Sequence, residues 1–201
     1  AAYPHTIVVI NVGGQIDLSW TDDIEGINAL VYFVQGGMAG GDALADILSG
    51  RFNFSGKLAA SWAMRYEDIP FAMEYSYLNG DLENENYREG LYVGYRYFDS
   101  FKIAPRYSFG YGLSYTSFSI EVQDVALMGT QASIRVYVQN TGERHSGKEV
   151  VQLYLACPSG QLAREAKSLV AFAKTAELSP GQKAELDLTF DLAKSAAYDS
   201  D

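Results

Sequence analysis

The chain has 201 residues, 48% of them hydrophobic and 20% charged, with a net charge of −10. That length carries one large domain or two small ones, each able to bury a core, and the balance is that of an ordinary globular protein. The acidic balance argues against nucleic acid and against anionic membrane surfaces, which both call for a basic face. One cysteine, Cys157, removes an internal disulfide framework and any cysteine-based metal site. It fits a reducing compartment, which slightly favours the cytoplasm and leaves the compartment open.

In chain order, "TIVVINV" (Thr6–Val12) is a β-branched run that predicts a strand buried on both faces of a parallel sheet. "GGQIDLSWTDDIE" follows as a glycine turn and a short helical or irregular segment. "GINALVYFV" (Gly26–Val34) repeats the strand signature. In "QGGMAGGDALADILSG", Ala43, Leu44, Ile47 and Leu48 fall at helical spacing, and Gly50 is placed to end the helix. Strand, crossover, strand, helix predicts a mostly parallel sheet. The apolar runs are too short to span a bilayer, and no signal peptide is visible. Both ends read as cuts through a longer polypeptide.

From about residue 116 the pattern changes. "SFSIEVQDVAL", "ASIRVYVQN", "GKEVVQLYLAC", "SLVAFAKT" and "KAELDLTFDL" are strand-length runs separated by "MGTQ", "NTGERHSG", "PSG" and "SPGQ". They predict an antiparallel β-sandwich. Twelve of the 15 tyrosines precede residue 116, which supports a boundary near "GLSYTSF".

Several stretches invite chemistry. The glycines of "QGGMAGGDALAD" suggest an anion cradle, but the Lys-Ser/Thr of a phosphate loop is missing. Close backbone approach is the plainer reading. His5 and His145 lack a third ligand at metal spacing and read as surface residues. No nucleophile elbow is present. Asp81, Glu83, Glu85 and Glu89 offer carboxylates for glycoside hydrolysis, although a solvated acidic loop explains them as well. "YREGLYVGYRYFD" (Tyr87–Asp99) holds five aromatics. Composition favours packing or an interface there over sugar stacking. Its "LYVGYRYF" alternates as a strand does.

Read together, the segments resemble glycoside hydrolase family 3 of the β-glucosidase type, over essentially the whole chain. The resemblance is carried in order by "VVINVGGQIDLSW", "QGGMAGGDALADILSGRFNFSGKL", "YREGLYVGYRYFD" and "FGYGLSYTSF". It continues through "VQNTGERHSGKEVVQLYLACP", "SLVAFAKTAELSPGQ" and "LTFDLAKSAAYD". It implies α/β plus all-β architecture: a partial α/β sandwich at 1–115, the second half of that domain, then a fibronectin type III-like β-sandwich at 116–201, incomplete at its C-terminus. "GKLAASWAMRYEDIP" and the ending look most like circularly permuted members, in which these domains precede the (β/α)8 barrel.

By resemblance, the parent is a retaining β-glucosidase acting on terminal non-reducing β-D-glucosyl residues, with a β-glucoside or cello-oligosaccharide as substrate. β-Xylosidase and related exo-glycosidase activities occur in the same family. The family's nucleophile, an Asp, lies in the barrel, and its acid/base Glu lies upstream of the strand matching "TIVVINV". No residue here inherits either role, so the chain alone is expected to be inert. No metal or organic cofactor is implied. The loop from Arg65 to Glu89 matches no pattern closely and is the expected place for substrate contacts. Tyr87, Glu89 and Arg96 are the candidate loop-ordering or pocket-edge residues; pairing of Glu89 with Arg96, or of either with backbone, is the plainer alternative. A non-catalytic carbohydrate-binding or scaffold module is the rival reading. Half a sheet is expected to expose strand edges and favour self-association, so a homo-oligomer is a further expectation.

Overall fold

A computed structural model describes residues 3–75, 80–158, 160 and 162–197. The expectations on the two N-terminal alanines, on 76–79 of the Arg65–Glu89 loop, on Ser159 of the "PSG" turn and on the final "YDSD" lie outside the described residues. Two compact units divide the chain. The first is Ala1–Phe52 with Ala60–Phe109, and the second is Asn53–Ala59 with Gly110–Asp201.

In the first unit, strands β1 (Thr6–Ile10) and β2 (Ile27–Tyr32) pair in parallel, as the strand–crossover–strand order predicts. The register slips after Thr6, whose amide donates to Asn28 Oδ1 at 2.9 Å in place of a ladder carbonyl. A parallel pair needs a crossover connection. Here it contains a 3-10 turn at Ser19–Asp23, which Asp17 opens by accepting from the Ser19 amide at 2.7 Å. Burial of β1 differs from expectation. Ile7 is 48% exposed and only Ile10 is fully buried. The described sheet is two strands wide, which does not suffice to cover both faces of a β-branched run.

After β2, Phe33 explains the glycine cluster. A Cβ on Gly36 would stand 2.5 Å from the Phe33 ring, and one on Gly40 would stand 2.9 Å from it. The glycines therefore admit an aromatic ring against the backbone at the start of helix α1 (Gly40–Leu48). Gly50, at φ +77°, ends that helix by donating to Ile47 O at 3.0 Å. Trp62, buried, meets the Tyr32 ring edge-on at 5.1 Å and forms a β-bridge with Tyr107.

"LYVGYRYF" is not a strand. Gly94, at φ +58°, breaks the alternation, and Tyr95–Phe101 forms helix α2. On a helix, residues four apart meet, and Tyr97 packs against Phe101 at 5.1 Å while Phe98 is buried. Aromatic packing along a helical face overrides an alternation only eight residues long.

The second unit holds β3 (Phe118–Met128), β4 (Gln131–Asn140), β5 (Val150–Leu155), β6 (Ser168–Lys174) and β7 (Lys183–Asp191). They form two antiparallel sheets, β3-β4-β7 and β5-β6. Each matches a run named above, because alternation with strong turn residues is an unambiguous strand signal. Ala132, Ile134, Val136 and Val138 of β4 point inward into one buried cluster with Leu188 of the neighbouring β7, Val151 of β5 and Leu178.

Asn140, fully buried, satisfies every polar atom of its side chain. Its Nδ2 donates to His145 O and Leu178 O, each at 2.9 Å. Its Oδ1 accepts from Thr116 Oγ1 at 2.6 Å and from the Gly142 amide at 3.0 Å. His145 itself is exposed, as is His5. Asn53–Ala59 joins this unit through Lys57, which pairs with Glu149 at 2.9 Å and donates to Gly112 O at 3.0 Å. Lys174 Nζ donates to Ser55 O at 2.8 Å.

Candidate functional site

Residues 71–75 and 85–89, within the Arg65–Glu89 loop, line a small cleft of about 130 Å³ in the first unit. Phe71, Glu74 and Tyr75, around the short 3-10 turn Ala72–Glu74, supply one wall. Residues 85–89 supply the other, with Tyr87 and Glu89 among them. Asp81 orders the approach to that wall. Its carboxylate accepts from the amides of Glu83 at 2.9 Å and Asn84 at 3.0 Å, forming an Asx-type turn. Those donors hold the Asp81 carboxyl below the usual carboxylate range.

Arg88 spans the cleft. Its guanidinium pairs with Glu74 and lies 4.7 Å over the Phe71 ring, a cation–π contact. Phe71 sits in the left-handed region at φ +57° at the start of the Ala72–Glu74 turn. Tyr87 is 86% exposed and presents a free aromatic face at the rim. Glu85 and Glu89 line the same cleft, and the Glu89 carbonyl accepts from the Tyr92 amide at 3.0 Å. Arg96 is elsewhere, partly buried on α2 with its guanidinium 5.8 Å from the Tyr95 ring. The fold thus brings Tyr87 and Glu89 to one cleft, and Arg96 is not part of its lining. Sequence reasoning missed Arg88 and Glu74 as a pair; the quoted stretch contains Arg88, but its partner is fourteen positions away.

A second polar cluster serves structure. Arg106, with its side chain 11% exposed, forms a bidentate pair with Asp22 at 2.8 and 2.6 Å. Asp17 accepts from the Tyr66 amide at 3.0 Å as well as from Ser19. Hydrogen bonds from Ser19 lower the Asp17 pKa, and the hydrogen bond from Arg106 lowers that of Asp22. Both carboxyls start from an ordinary value of 3.8. A lowered native pKa adds stability above that value, which is lost as pH falls through the native one. Acid is therefore expected to lower the urea midpoint of this unit below about pH 4, with little change from these groups between about pH 5 and 7. Tryptophan fluorescence reads this unit, since Trp20 and Trp62 both lie in it. The double variant Asp17→Asn, Asp22→Asn should flatten the acid limb.

Residues 1–115 match the glycosyl hydrolase family 3 C-terminal domain, and residues 149–201 match a fibronectin type III-like domain. The chain belongs to glycosyl hydrolase family 3. This family 3 chain is 34% identical over 197 residues to a β-glucosidase of Kluyveromyces marxianus, covering 98% of the chain and 22% of that protein. It is 39% identical over 189 residues to a β-glucosidase of Bacteroides ovatus, covering 91% of the chain and 24% of that protein. The crystal structure of a β-glucosidase from Paenibacillus barengoltzii matches with TM-score 0.91 and 43% identity, over 98% of this chain and 22% of that one. β-Glucosidase 3B of Thermotoga neapolitana in complex with glucose matches with TM-score 0.86 and 36% identity, over 96% and 26%. The family 3 chain therefore spans about a quarter of the length of the relatives it matches. Its parallel strand pair and antiparallel sheets agree with the α/β and β-sandwich architecture of that family.

Proposed function

We propose that this chain is part of a retaining β-glucosidase that hydrolyses terminal, non-reducing β-D-glucosyl residues, and that it supplies neither catalytic carboxylate. The observation that carries the reading is continuous similarity over 91–98% of the chain to proteins named β-glucosidase. Retaining hydrolysis needs an ionised carboxylate nucleophile about 5 Å from a second carboxyl, kept protonated to donate to the leaving oxygen. Such an acid has a raised pKa. Asp17, Asp22, Asp81, Asp187 and Asp191 are all shifted the other way, held ionised by hydrogen-bond donors. They are structural anions, unsuited to the acid role.

In this reading a (β/α)8 barrel elsewhere in the parent provides the chemistry, and the loop cleft contributes to substrate choice. Tyr87 offers an exposed ring for stacking on a sugar face, and Glu89 offers a hydroxyl acceptor at the same cleft. Arg96, beside the Tyr95 ring on α2, has no part in that cleft. A β-glucoside or cello-oligosaccharide is the substrate class. The test is hydrolysis of an aryl β-glucoside by the parent polypeptide, followed by NMR of the first sugar released. The expected product is the β anomer, appearing before mutarotation. Release of the α anomer, or no hydrolysis of β-glucosides, would overturn the proposal.

A further inference from the structure

The loop from Arg65 to Glu89 carries seven carboxylates and only two guanidiniums, Arg65 and Arg88. Its cleft concentrates that imbalance. Glu74, Glu85 and Glu89 line it with Arg88 as the one cation, and Arg65 is not part of the lining. The guanidinium of Arg88 is already engaged, since Glu74 takes its charge and the Phe71 ring covers its face. Among the described residues, neither Glu85 nor Glu89 pairs with a cation. Two negative charges are therefore left uncompensated along the walls.

Each wall also carries an exposed tyrosine, Tyr75 on one and Tyr87 on the other. Aromatic faces beside carboxylate acceptors suit a neutral ring that bears hydroxyl donors. A ring bearing a carboxylate meets two like charges there and no free guanidinium, and like charges brought together suppress the wrong partner. Glu74 sets this balance. A free Arg88 would match a carboxylate with its planar fork, and Glu74 occupies that fork.

We propose that Glu74 is a specificity-determining residue: by holding Arg88, it makes the cleft select neutral leaving groups of a β-glucoside over anionic ones, such as uronic acids and carboxylated phenols. The inference rests on the β-glucosidase reading and on this cleft taking part in substrate choice. Charge is the discriminating property, because the rings and hydroxyl acceptors of the lining serve either kind of leaving group alike. Arg88 and Glu74 are 53% and 52% exposed, so the charges here are in contact with water and salt should weaken the discrimination.

The test measures kcat/KM of the parent polypeptide on the β-glucosides of 4-hydroxybenzamide and 4-hydroxybenzoate, which match in shape and differ by one negative charge. The ratio should favour the amide about tenfold at low ionic strength and fall by about half or more in roughly 0.5 M salt. In Glu74→Gln the freed guanidinium should lower the ratio about threefold or more, and Glu85→Gln with Glu89→Gln should lower it similarly. Reading a ratio cancels general losses of folding or activity, and comparing it between variants cancels the intrinsic reactivity of the two glucosides. A ratio unchanged by Glu74→Gln, or insensitive to salt, would overturn the inference and leave the β-glucosidase reading intact. Hydrolysis of neither glucoside would overturn that reading and the inference with it.

Discussion

Replacing Asn140 by alanine is expected to destabilise the second unit by about 3 kcal/mol, since several buried groups lose their partner at once. The carbonyls of His145 and Leu178 lose a donor, and the Gly142 amide and Thr116 hydroxyl lose an acceptor. Leu178 O keeps one bond, from the Gly147 amide at 3.0 Å. Asn140→Asp is the sharper test. It preserves shape and keeps an acceptor for Gly142 and Thr116, but at neutral pH it sets a buried carboxylate oxygen against two carbonyls. Its loss should exceed that of alanine at about pH 7 and shrink as the pH drops and the acid protonates. Urea denaturation followed by far-UV circular dichroism reads the strands of this unit. An Asn140→Asp variant as stable as the parent sequence would show that the network is dispensable.

Removing the carboxylate of Glu149 is the second large effect. Lys57 and Glu149 are 17% and 16% exposed, so each is mostly withdrawn from water and depends on the other. Glu149 Oε1 also accepts from the Val150 amide at 2.7 Å. Burial lowers the Lys174 pKa most, and repulsion from Lys148 and then Lys57 lowers it further, while Glu149 acts in the opposite sense. Glu149→Gln would leave these ammonium groups without their nearest anion. Breaking a partly buried pair from one side should cost about 2–3 kcal/mol. Lys57→Met with Glu149→Gln should recover much of it, because the stranded charge is gone. The double-mutant cycle in urea distinguishes charge stranding from simple loss of packing.

What the sequence disclosed depended on how local each feature is. β4 is legible in "ASIRVYVQN" because alternation and the flanking "MGTQ" and "NTG" turns are both local. The helix ending at Gly50 is legible for the same reason. Burial of β1 is not, since β-branched content reports strand propensity and leaves the number of covering layers open. α2 was hidden because "LYVGYRYF" satisfies a period of two, whereas Gly94 and the Tyr97–Phe101 contact decide for a helix. The Asn140 network spans up to 38 positions, and the Lys57–Glu149 pair spans 92. Neither leaves a local pattern. At the candidate site, Tyr87 and Glu89 were legible as residues at the end of the Arg65–Glu89 loop, which matches no family pattern closely. The Arg88–Glu74 clamp was not, because its two halves lie on opposite walls of the cleft.

The proposed function puts both catalytic carboxylates of the parent outside this chain. The direct measurement is release of chromophore from an aryl β-glucoside by the purified 201-residue chain, beside the parent polypeptide at equal concentration. Turnover is expected from the parent, and none above the buffer rate from the chain. Turnover by the chain alone, abolished by Glu85→Gln or Glu89→Gln, would place a catalytic carboxylate in the loop cleft and contradict it.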